Sequence, residues 1–149
     1  MLRQFLRKHI QMPKFPDCFP ENFETDILPN NVEYVSYHAY RILKEGKLNR
    51  KAFISTFEEF KDKKYKPRGF NPSSPDTYST SLFSNIDDIK NILKIMLRHN
   101  PPAIIAEGIT EPCCGPCKKD NYSSHISWWI FEDASPETYF KVIEENEDE

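Results

Sequence analysis

Two groups of residues in this sequence have the types and spacing to do chemistry. The first is Cys114-Gly115-Pro116-Cys117, with Cys113 just before it and His125 beyond it. Two thiols separated by two residues can exchange with a disulfide if one is held as a thiolate, usually by a helix N-terminus beside it. The same spacing is half of a zinc site, to which Cys114, Cys117 and His125 would supply three ligands and Cys113 or Cys18 the fourth. A connection between strands is the plainer role. Glu111-Pro112 and Gly115-Pro116 make turns, and small apolar thiols fill space. The context favours the connection, because KKDNYSSH follows the motif and reads as turn, not helix.

The second group is Arg41, Ser79-Thr80-Ser81 and Glu107. Alternation along 32–43 places Arg41 with Val35, Tyr37, Ala39 and Leu43, on the more apolar face of a strand. Alternation along 103–109 places Glu107 with Ala103, Ile105 and Ile109. A charge buried alone is very costly, so each needs a partner or a ligand. The structural expectation is that Arg41 and Glu107 pair with each other or with local backbone. The functional expectation is that they face a substrate.

Two resemblances attach to these residues. Cys114-Gly115-Pro116-Cys117 is similar to the redox loop of the thioredoxin family, and the resemblance covers those four residues. Tyr40-Arg41 on one strand, Ser79-Thr80-Ser81 on a later one and then a glutamate resembles the residue order of ADP-ribosyltransferases. That resemblance implies that the arginine holds a nicotinamide dinucleotide and that the Ser-Thr-Ser strand braces the site. It also implies a glutamate, here Glu107 or Glu132, that positions the ribose. A carboxylate is apt there because cleaving the glycosidic bond builds oxocarbenium-like charge.

The elements that must position these residues follow from periodicity. Leu2, Phe5, Leu6 and Ile10 give a basic amphipathic helix over 1–12. Prolines make 13–31 a loop. Strands are expected at 32–43, 77–83, 103–110 and 125–133. Helices are expected at 49–60, capped by Asn49, and at 86–99, capped by Asn85 with Ile86, Ile89, Leu93 and Met96 facing inward. A last helix opens at Ser135-Pro136-Glu137 and runs through Ile143. The expected fold is a single α+β domain with a roughly four-stranded mixed or antiparallel sheet packed by helices. Trp128 and Trp129 alternate, so one is expected in the core and the other against a partner or ligand.

Composition bounds the rest. The 149 residues suit one domain, and 11 Phe, 7 Tyr and 2 Trp carry much of the buriable area. No apolar run reaches membrane length. The clustered cysteines favour a reducing, cytoplasmic compartment. Lys61, Lys63, Lys64, Lys66 and Arg68 surround Tyr65, a loop suited to nucleic acid with the tyrosine stacking. The tail 144–149 is acidic and expected to be flexible. With no complete catalytic pattern, the leading expectation is a small cytosolic binding module with a protein partner, of bacterial or phage accessory type. A nucleotide-using transferase centred on Arg41, Ser79 and a glutamate is the second, and a zinc-stabilised interaction domain the third. No cofactor follows from the sequence.

Overall fold

The structure, a computed structural model, describes residues 12–143. The helix expected over 1–12, apart from Met12, and the acidic tail 144–149 lie outside the described residues. Six strands form one antiparallel sheet: β1 (His38–Leu43), β2 (Thr80–Phe83), β3 (Ile104–Ile109), β4 (Cys117–Lys119), β5 (His125–Trp128) and β6 (Phe140–Val142). Their spatial order is β4-β5-β2-β1-β3-β6. The α+β class stands, but the sheet has six strands where about four were expected. The two extra strands, β4 and β6, are three-residue edge strands, too short to show a period of two.

Each departure has a local cause. The helix expected over 136–143 is a single 3-10 turn, Pro136–Tyr139, followed by β6. Phe140 is drawn into the sheet opposite Gly108, where any Cβ would lie 2.5 Å from the Phe140 ring. A glycine in a strand here marks close approach of a neighbour. The helix expected over 49–60 is two pieces, Arg50–Phe53 and α1 (Thr56–Phe60). Asn49 does cap the first through Ala52 N, but Ser55 restarts the helix with a capping box to Glu58. The break lets Phe53 and Phe57 enter different clusters.

The helix α2 (Ile86–Met96) keeps its expected form. Asn85 accepts hydrogen bonds from Asp87 N and Asp88 N, and Asp87 and Asp88 suit the N-terminal end of the dipole. Ile89 is buried, and Ile86, Leu93 and Met96 pack beside it on Ile42 and Ile105 of the sheet. The opposite face of the sheet holds the main core: Ala39, Leu43, Leu82, Ala106, Ile126 and Trp128. A third cluster, built on Phe19, Phe23, Tyr78 and Trp129, anchors the proline-rich segment that precedes β1. Among the described residues no helix is long and apolar enough to cross a membrane.

The sheet is rolled. In a flat sheet β4 and β3 would stand roughly 19 Å apart, four strand spacings. Yet Cys117 Sγ of β4 lies 3.8 Å from Thr110 Oγ1, one residue past β3. Residues 33–37 close the seam. Glu33 exchanges two backbone hydrogen bonds of 2.8 Å with Cys117, and Tyr37 N donates to Thr110 Oγ1 at 2.8 Å. The strand expected over 32–43 therefore serves two partners: its first half bonds β4 and its second half lies between β2 and β3.

Candidate functional site

A cleft opens where β1 and β2 separate. The two strands are in register at Tyr40 and Phe83. Beyond that pair the Arg41 guanidinium fills the gap: its Nε donates to Ala52 O at 3.1 Å and its Nη1 to Ser81 O at 2.9 Å. Arg41 has the strand phase expected of it, with Ala39 and Leu43 in the core. Its partners are backbone carbonyls. Burial lowers its pKa to about 10, an effect that Glu59 partly opposes, so the side chain is a cation at neutral pH. Nη2 makes no hydrogen bond to the described residues, and Arg41 lines the cleft.

The cleft has a volume of about 220 Å³. Arg41, Ser79, Ser81 and Glu59 line its polar side; Phe83, Ile89, Ile92 and Met96 line its apolar side. A second groove of about 320 Å³ shares Arg41, Lys44 and Glu59 and continues past Lys47, Lys51 and Lys63. Lys44 and Glu59 pair at 3.2 Å where the two meet. Ser79 is buried and donates to Asp76 O at 3.0 Å, which fixes the 3-10 turn Pro75–Tyr78 before β2. Thr80 points to the other face of the sheet and donates to Phe53 O.

Glu107 is not part of this cleft. It faces the opposite way from Arg41 and bonds His38 Nε2 at 2.9 Å, in a shallow depression that also involves Gly108, Tyr139 and Lys141. Of the five residues expected to act together, the structure brings Arg41, Ser79 and Ser81 into one place and leaves Thr80 and Glu107 out of it. Glu132, the other glutamate considered, instead accepts from Lys14 at 3.3 Å.

No family of known proteins is matched. Neither a family model, nor a curated protein, nor a solved structure matches the chain.

The cysteine segment is a tight connection. Gly115 takes φ +139°, and a Cβ on it would lie 2.0 Å from Trp129 O. Gly115 O accepts from Trp128 Nε1 at 3.0 Å, and Pro116 O accepts from Trp129 N at 2.9 Å. Cys117 starts β4, so no helix follows the motif. Burial, aided by Cys113, pushes the Cys114 thiol up to about 12, and burial raises Cys117 as well. Both shifts run away from the thiolate that a redox pair uses. Cys117 pairs in register with Trp128 and shares its face, whereas His125 points to the other side of β5. Cys114, Cys117 and His125 thus do not converge, and among the described residues no three His, Cys, Asp or Glu side chains are arranged to hold a metal.

Both tryptophans are buried, Trp128 in the main core and Trp129 in the third cluster, where its Nε1 donates to Pro75 O at 2.9 Å. Neither is left for a partner, because the chain leaves β5 between them. In the basic loop, Lys63 and Lys66 lie over Phe60 and Phe70, and Tyr65 is 80% exposed.

One pair was not foreseen. Ser81 Oγ and His125 Nε2 are 3.0 Å apart. Ser81 stands opposite Ser127, and Phe83 opposite His125, so the two side chains are diagonal neighbours on one face. In the sequence both residues belong to candidate sites, but to separate ones. What joins them is the β2–β5 register, and no local signal specifies that.

Proposed function

We propose that the chain is a binding module whose ligand is a small molecule with a carboxylate or phosphate group, held at Arg41 in the cleft between β1, β2, α1 and α2. The observation that carries this reading is the state of the guanidinium. Two of its donors are fixed on backbone carbonyls, which orients the plane in advance, and Nη2 has no hydrogen-bond partner among the described residues in a group that lines the cleft. Charge-assisted hydrogen bonds from a pre-oriented arginine are strong, and little rotamer freedom remains to be lost on binding. Lys47 adds positive charge to the adjoining groove, where Lys44 is paired with Glu59 and Lys51 with Glu45. Calorimetric titration with inorganic phosphate, adenosine monophosphate and nicotinamide dinucleotide tests it. Heat with at least one of these is expected, and Arg41→Met should abolish it in a protein that still shows native circular dichroism. No heat at millimolar concentration of any of the three would remove the reading.

A transferase using a dinucleotide is the second reading. It is favoured by the meeting of Arg41, Ser79 and Ser81 with a carboxylate, Glu59, in one cleft. In that reading Glu59, not Glu107, would stand near the ribose. Binding of the dinucleotide well above that of the monophosphate, lost in Glu59→Gln, distinguishes it.

A further inference from the structure

We propose that Ser81 and His125 form a nucleophile–base pair that cleaves small carboxylic esters, with Arg41 stabilising the oxyanion. Ser81 and His125 sit on two paired strands, so their separation of 3.0 Å is set by the sheet and not by a loop. That distance is within reach for proton transfer from a hydroxyl to a base. Ser81 is exposed at the cleft lining, and the His125 ring is braced edge-on against Phe83 at 5.4 Å. With its proton on Nδ1, the ring presents Nε2 as the acceptor for Ser81 Oγ–H. The charged groups nearest the ring, Asp76 and Asp120, favour its protonated form as it takes the serine proton, while burial opposes it.

Arg41 completes the set. Its Nη1 donates to the carbonyl oxygen of Ser81, and both residues line the same cleft. The inference rests on the anion-binding reading through this group alone, because an oxyanion is the charge that Nη2 would meet. Phe83, Ile89, Ile92 and Met96 give the acyl group an apolar wall, and about 220 Å³ admits a short chain. No carboxylate is hydrogen-bonded to the ring among the described residues. A dyad of this kind suits an alcohol or phenol leaving group better than an amine.

The steps balance. Ser81 Oγ bonds to the carbonyl carbon as its proton passes to His125 Nε2, and the carbonyl oxygen becomes an oxyanion beside Arg41. The C–O bond to the leaving group breaks, and that oxygen takes the proton from His125. Water then adds to the acyl-serine with His125 again accepting the proton. The serine leaves with that proton, and the carboxylic acid is released.

The test treats the full chain with a fluorophosphonate probe and, separately, with p-nitrophenyl acetate and butyrate. One covalent adduct, mapped to Ser81 by peptide mass spectrometry, is expected, together with ester turnover. Ser81→Ala should abolish both, and His125→Gln should slow both by about 10²-fold or more, as for loss of a general base. Both variants should keep native circular dichroism. No adduct at Ser81, or an adduct formed as fast in His125→Gln, would overturn the proposal. The two readings fail separately: missing heat removes the anion site, and a missing adduct removes the esterase whatever the heat.

Discussion

The cysteine connection and the Arg41 cleft both attracted notice as sequences with chemical potential, and the fold treats them in opposite ways. In the connection nearly every group is already used. Gly115 O holds Trp128, Pro116 O holds Trp129, Cys114 O accepts from Phe131 N, and burial keeps the thiols protonated. In the cleft the groups are positioned but not exhausted. Arg41 Nη2 has no hydrogen-bond partner among the described residues, and the exposed Ser81 hydroxyl rests on a half-buried histidine. The familiar four-residue motif has its backbone atoms engaged, and the unfamiliar constellation is the one with donors left over. A motif signals chemistry only where the fold leaves its atoms something to do.

The largest expected effect breaks the connection. Gly115→Ala places a Cβ 2.0 Å from Trp129 O on a residue at φ +139°. Backbone and clash terms together should cost about 4 kcal/mol or prevent folding. Gly69, which has nothing within 4 Å of an added Cβ, should tolerate the same change to within about 0.5 kcal/mol. Urea denaturation of the two variants makes the comparison, and equal stabilities would show that the connection is not the tight turn described. On the cleft side, Ile89→Ala removes the buried anchor of α2 and should cost about 3 kcal/mol. Ile95→Ala, at a position 62% exposed, should cost little. The reverse ranking would mean that α2 presents a different face to the sheet.

A smaller effect is expected at Arg41 itself. Arg41→Met leaves Ser81 O and Ala52 O without their donor, a loss of about 2 kcal/mol. The same variant should lose anion binding entirely, so stability and function separate in one protein. Full stability with full binding would place the guanidinium elsewhere. Thiol reactivity sharpens the other side. Cys113 is exposed and Cys114 is buried with its thiol raised to about 12. Pulse alkylation near pH 7 should therefore modify Cys113 well before Cys114. Rapid modification of Cys114 would reopen the redox reading.

How much of this was legible in the sequence depended on the range of the signal. The α2 cap at Asn85, its inward face and the strand phase of Arg41 all follow from residues within one turn or one strand, and the fold keeps them. The short edge strands were missed because three residues hide any periodicity, and because Pro136 advertises a helix that Phe140 then leaves for the space above Gly108. The partner of Arg41 was named only in part. Local backbone was one of the alternatives, but Ser81 O comes from a strand forty residues away. Glu107 was placed beside Arg41 by a shared apolar pattern, although antiparallel pairing sets Arg41 opposite Ala106 and turns Glu107 to the other face. Ser81 and His125 meet through long-range register, which no single stretch encodes.

The smallest expected effect concerns pH and decides whether His125 belongs with the cleft. Burial is the main influence on its ring and lowers its pKa below the usual value, with Asp76 and Asp120 opposing. In the unfolded chain a histidine titrates near about 6.5. Between the folded and unfolded values the unfolded chain binds more protons, so stability rises with pH across that window. The contribution is fully present above about pH 6.5 and is lost as the pH falls through the lower folded value. Wild type should therefore lose more melting temperature between pH 7.5 and pH 5 than His125→Gln does. The rate of fluorophosphonate labelling at Ser81 should fall over the same range, because a protonated Nε2 can no longer accept the serine proton. A melting-temperature shift shared equally by the two proteins would mean that the ring is open to water, and labelling indifferent to pH would detach His125 from Ser81. If the melting shift appears without the labelling shift, the pair is a cross-strand contact of the rolled sheet and the cleft works through Arg41 alone.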